Sequence, residues 1–148
     1  MPAPKELERL GGLFDLASDK NRPFLDRCSE TKYLAVMDFK RASNITVELT
    51  KQTLKEANSG LTRRNDFRSH LLTLQKAVES GQIDTGVISA LEKLRSKYLQ
   101  KVLRPAVRSY LENDDLKTTE IEKLYDEALR IEGLLEVVQF LKKVEPDF

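Results

Sequence analysis

Apolar positions recur every three to four residues through most of this chain, the spacing of helices that bury one face. In residues 62–80, Phe67, Leu71, Leu74 and Val78 fall at i, i+4, i+7 and i+11, which leaves Arg63, Arg64 and Lys76 to point outward. In residues 118–144, Ile121, Leu124, Ala128, Ile131, Leu135 and Val138 alternate steps of three and four, a heptad-like seam. Leu134, Val137, Phe140, Leu141 and Val144 widen that seam, so the C-terminal end of this helix is expected to be the most buried. Gly133 sits inside it, at a cost of about 1 kcal/mol against alanine; its expected use is to let a neighbouring helix come close. The stretch "SNITVELT" holds β-branched residues, but helical spacing continues through it, and no convincing strand is found.

Sparse punctuation divides these patterns. Gly60 and Gly81 each follow a helical run, where a glycine takes the left-handed conformation at little cost. Leu61 offers the apolar contact that accompanies such an end. Thr62 and Asp84 are candidate N-caps, and Thr119 with Glu122 makes a capping box. Helices are therefore expected near residues 4–17, 30–58, 62–80, 84–113 and 118–144, with an irregular link, "SDKNRPFLDRCSE", after the first. Connections of a few residues force consecutive helices to lie antiparallel. The pattern predicts an all-α fold: an up-and-down helical bundle of four long helices plus a short N-terminal helix. A single domain over 1–148 is expected, with residues 1–29 packed on a four-helix core of 30–148.

The 30–58 segment carries two apolar stripes rather than one. Leu34, Ala42, Ile45 and Leu49 make the first; Val36, Val47 and Leu54 lie roughly opposite, and Phe39 falls between. Either the N-terminal segment (Leu10, Leu13, Phe14, Phe24, Leu25) covers the second stripe, or Val36, Phe39, Val47 and Leu54 receive a partner's helix or loop.

Charge adds a second candidate surface. On a helical wheel, Lys93, Lys97, Lys101, Arg104 and Arg108 fall within about 80° of one another over roughly 23 Å, with Arg95 elsewhere. Leu91, Leu94, Tyr98, Leu99, Val102, Leu103, Ala106, Val107, Tyr110 and Leu111 form the apolar side. Like charges at i,i+4 repel by a few tenths of a kcal/mol, so something compensates. From Glu112 to Glu136 there are nine carboxylates against Lys117, Lys123 and Arg130, and interhelical ion pairs with that segment are one compensation. An external anion is the other. Pro105 interrupts the same helix and predicts a kink, because the apolar pattern stays in phase on both sides.

Composition narrows the function classes. The net charge of +1 gives no global field for a polyanion, and charged residues make up 33% of 148. Cys28 is the only cysteine, so no disulfide forms within the chain; the first residues lack the apolar core of a signal peptide, and a cytoplasmic or nuclear location is expected. His70 is the only histidine, expected in a structural role, and neither it nor Cys28 sits in a nucleophile motif. HExxH, paired CxxC and Glu-x-x-His spacings are absent, as is a Gly-rich phosphate loop, so no catalytic residues, metal or cofactor are assigned. The expectation is a non-catalytic protein–protein interaction module, an adaptor or scaffold, that binds a helical or acidic partner segment through an apolar groove with a basic face. The alternative is an anionic-surface module that docks on acidic phospholipid or nucleic acid through Lys93, Lys97, Lys101, Arg104 and Arg108.

Overall fold

The computed structural model describes residues 12–57, 65–113 and 118–145. Every regular element among them is helical. In chain order these are α1 (12–18), α2 (Phe24–Met37), α3 (Phe39–Ala57), α4 (Asn65–Ser80), α5 (Thr85–Tyr98), a π-helical turn (Leu99–Leu103), α6 (Arg104–Asn113) and α7 (Thr118–Val144). Helices α5 and α6 run on through the π turn as one rod, which makes five long helices and one short one. The expected bundle is therefore present, with five long helices rather than four.

The extra helix comes from the segment expected to be an irregular link and from a break inside 30–58. Phe24, Cys28, Thr31, Leu34 and Ala35 are buried on one side of α2, at helical spacing. Arg27 is buried with them, and together with Thr31 it interrupts the apolar pattern that would have marked the helix. At Asp38 the backbone leaves helical geometry, with φ −146° and ψ 85°. Its N–H closes α2 on the Leu34 carbonyl at 2.7 Å, and its Oδ1 accepts the Arg41 N–H of the next helix at 3.2 Å. One residue thus ends α2 and caps α3. The break puts Leu34 and Val36 on α2 and the other members of both stripes on α3, and the first stripe, Leu34, Ala42, Ile45 and Leu49, is buried throughout.

Helix α7 is the hub. It packs against α2, α3, α5 and the π turn, while α4 bridges α3 and α5. This explains why its C-terminal half is buried on several sides: Ile131, Gly133, Leu134, Leu135, Val137, Val138 and Leu141 all are. The α4 face behaves as its spacing predicts, with Phe67, Leu71 and Leu74 buried and Val78 half-buried. In α3 the β-branched stretch is helical. Thr46, Thr50 and Thr53 are buried and donate their hydroxyls to the carbonyls of Ala42, Thr46 and Leu49, which satisfies the oxygens without a partner helix. Gly133 lies under α2: a Cβ there would stand 2.8 Å from Leu25 Cδ2 and 3.5 Å from Cys28 Sγ. The close approach expected of this glycine is to α2.

The ends of the elements are satisfied locally. Gly81 has φ +70° and donates to the Val78 carbonyl, closing α4. Asp84 Oδ1 accepts the Val87 N–H and caps α5. Thr118 already belongs to α7, so Thr119 lies inside the first turn rather than at its cap, and the expected capping box is not formed. Leu10, Gly60, Leu61, Thr62, Arg63 and Arg64 lie outside the described residues.

Candidate functional site

The rod α5–π–α6 carries the candidate surface. Val87, Ala90, Leu91, Leu94 and Tyr98 are buried along α5. Tyr98 fixes the end of this stretch: its hydroxyl lies 2.9 Å from Glu127 Oε2 and 3.1 Å from the Leu124 carbonyl of α7. Burial, then the adjoining Glu127 charge, pushes the Tyr98 hydroxyl well above its ordinary pKa, and burial also raises Glu127. Tyr98 is a fixed donor rather than an acid.

Past Tyr98 the packing changes. Pro105 has no N–H to give to the Lys101 carbonyl, and its ring crowds that turn. The chain widens into the π turn, in which the Arg104 N–H reaches back five residues to the Leu99 carbonyl. The proline neither breaks the helix nor leaves it regular. One extra residue in a turn sets everything beyond it back by about 100° relative to an α-helix.

That shift splits the expected row of cations. Lys93 and Lys97 stand near His70 of α4, whose pKa is lowered by burial first and then by these two charges. His70 Nε2 is buried and finds no hydrogen-bond partner among the described residues. Lys101 is exposed in the π turn, and both Lys97 and Lys101 have interactions of their own. Arg104 and Arg108 are exposed beyond the turn and flank a shallow hollow lined also by Leu103, Val107, Leu111 and Glu112. Among the described residues Arg104 and Arg108 make no ion pair. One interhelical pair that this rod makes with α7 uses Arg95, with Nη1 3.2 Å from Glu132 Oε1. Other α7 charges turn to α2 and α3, in Lys32–Glu136 and Glu56–Arg130.

No residue of the π turn is buried. Leu103, Ala106, Val107 and Tyr110 are half-buried, and Leu111 is 75% exposed. Among the described residues, α6 packs substantially only on the π turn from which it continues. A second, apolar hollow of about 130 Å³ adjoins it between the rod and α7, lined by Leu99, Leu103, Tyr125, Ala128 and Leu129 among others. On the wheel, Leu103, Val107 and Leu111 share the apolar side with the buried residues of α5. The signal that separates them from core is Pro105, which marks where that side stops being covered.

The other apolar candidates do not share one helix. Val36 is 67% exposed at the end of α2. Phe39 opens α3, half-buried against the core, and lines a small hollow with Ile83, Ile88, Val138 and Leu141. Val47 is half-buried, and Leu54 is part of the core. The break at Asp38 sets Val36 apart on α2, while Phe39, Val47 and Leu54 all belong to α3. Of the segment expected to cover them, Leu13 and Phe14 pack partly on the core, Phe24 is buried, and Phe14 stacks under the Arg41 guanidinium at 4.8 Å.

Cys28 is buried, and that burial pushes its thiol up to about 12, so it is not a poised nucleophile. Among the described residues no group of three or more His, Cys, Asp and Glu side chains is arranged to hold a metal ion, and no helix is long and apolar enough to cross a membrane. Comparison with known proteins finds no matching family model, no matching curated protein and no matching solved structure.

Proposed function

We propose that this chain is a non-catalytic protein–protein interaction module of the adaptor or scaffold type, and that α6 with the π turn is its docking face. The partner segment is an acidic amphipathic helix. Its apolar side lies in the groove over Leu103, Val107 and Leu111, and its carboxylates meet Arg104 and Arg108. The single observation that carries this reading is the exposure of Leu111 on a half-helix that packs substantially on no other α-helix among the described residues. A leucine in phase with Leu103 and Val107 is otherwise an unfavourable thing to leave in water, at about 25 cal/mol per Å² of apolar surface. Charge complements the apolar groove: among the described residues, the carboxylate lining the hollow is Glu112, beside two guanidinium groups.

Capture from lysate with three proteins tests the reading. The unmutated chain is expected to retain a partner that both Leu111→Asp and Arg104→Glu/Arg108→Glu lose, while all three keep the same melting temperature. Retention unaffected by either variant would overturn it. Salt distinguishes it from docking on acidic phospholipid or nucleic acid, which weakens steeply between low and moderate ionic strength. Salt-steep binding to acidic vesicles or nucleic acid, lost with the double arginine variant and unaffected by Leu111→Asp, would put the anionic-surface reading in its place.

A further inference from the structure

A polar hollow away from the α6 face, formed by the α1–α2 link, α2 and α3, has a volume of about 570 Å³. That lies within the range of small-molecule sites, about 300–1,000 Å³. Arg27 contributes to its lining and is itself 2% exposed. Its Nε donates to the Ala17 carbonyl at 2.9 Å and its Nη1 to Gln52 Oε1 at 2.8 Å. Both acceptors are neutral. A guanidinium does not shed its proton, so this is a buried positive charge.

Among the described residues Arg27 makes no ion pair. The route to a carboxylate runs through Gln52, whose Nε2 donates to Glu56 Oε1 at 3.3 Å, and Glu56 already holds Arg130 at 2.7 Å. Instead of acids, the hollow gathers more cations. Lys20, Lys51 and Lys55 line it, all exposed, and Lys51 and Lys55 stand one helical turn apart, where like charges repel. Glu48 is the remaining carboxylate in the lining. Among the described residues, four cations thus face Glu48 and an already engaged Glu56.

We infer that this hollow binds a small polyphosphate anion, with the buried Arg27 anchoring it and Lys20, Lys51 and Lys55 closing around it. A single carboxylate matches one such cation. Cations arriving from the α1–α2 link, α2 and two turns of α3 match an anion with several charged oxygens. With Nε and Nη1 already donating to Ala17 and Gln52, Arg27 offers the anion a fixed charge and its remaining N–H donors, and flexible lysine stems adapt to the other oxygens.

Inorganic pyrophosphate is the probe, titrated at fixed ionic strength into the isotope-labelled full chain, with orthophosphate as the parallel arm. Saturable amide shifts are expected at Arg27, Lys51, Gln52 and Lys55, at least tenfold tighter for pyrophosphate than for orthophosphate, with a rise in melting temperature. Lys51→Glu/Lys55→Glu is expected to weaken binding at least tenfold in a folded protein, and Lys143→Glu on α7 to leave it unchanged. Arg27→Lys keeps the charge and loses the bonds to Ala17 and Gln52 that fix it, and weaker binding is expected; should it fail to fold, the exposed double variant decides. Shifts that do not saturate, equal affinity for the two anions, or full binding by Lys51→Glu/Lys55→Glu would overturn the inference.

Discussion

Gly133 shows how one residue sets the distance between two helices. A methyl group there meets first the far end of Leu25, a partly exposed side chain that can swing away. The gain in helix propensity, about 1 kcal/mol, offsets that adjustment, so Gly133→Ala is expected to lie within about 1 kcal/mol of the parent in denaturant unfolding. Gly133→Val also presses on Cys28, which is buried, and is expected to destabilise by about 1–3 kcal/mol. Equal midpoints for the two variants would contradict the close packing of α2 on α7. His70 makes the second residue-scale test. Burial and the charges of Lys97 and Lys93 hold its folded pKa below the ordinary 6.5, so the unfolded chain takes up the proton first as pH falls. The stability that goes with neutral His70 is complete above about pH 6.5 and is lost as pH drops toward the depressed folded value. Replacing it, His70→Gln, is expected to flatten the fall in melting temperature over that window; an unchanged slope would contradict the assignment. The position of Gly133 was legible from its place in a helical seam. The neighbour it admits was not, because α2 hides its helical period behind Arg27 and Thr31, which are buried but polar.

At the scale of elements, Asp38 and Pro105 decide more than any apolar residue. Asp38 ends one helix and caps the next with a short side chain, in a sequence that otherwise keeps helical spacing across the break. Asp38→Ala removes the acceptor for the Arg41 N–H and is expected to destabilise by about 1 kcal/mol, read from the denaturant midpoint. A shift near zero would mean that the break is held by packing alone. The apolar period of 30–58 and its buried stripe, Leu34, Ala42, Ile45 and Leu49, were legible; the break was not, because a cap of one residue leaves no gap in the pattern. Pro105 acts in the opposite way. It was recognisable as an interruption, yet the structure absorbs it with a π turn that keeps the rod intact and rotates α6 relative to α5. A wheel drawn at a constant 100° per residue therefore joins Lys93 and Lys97 to Arg104 and Arg108, where the structure sets the first pair beside His70 and the second beside Leu103, Val107 and Leu111.

Over the whole molecule, the bundle follows from periodicity because its core is made of uninterrupted stripes: Phe67, Leu71 and Leu74 on α4, Leu91 and Leu94 on α5, and Ile131 to Leu141 on α7. These stripes close a core around α7 and, among the described residues, leave one helical half, α6, packed substantially only on the π turn. Surface function was less legible for a physical reason: the same apolar side chain is core or contact depending on whether another helix reaches it, and that depends on tertiary geometry. The central claim is that α6 is left uncovered for a partner. Photo-crosslinking in lysate tests it most directly, with the reactive group placed at Leu111 on α6 or, for comparison, at Leu72, an exposed leucine on α4. Strong crosslinking is expected from position 111 to an acidic segment of one protein, lost in the Arg104→Glu/Arg108→Glu background, and little from position 72. Equal yields from the two positions, or crosslinks from 111 that persist when both arginines are reversed, would contradict it.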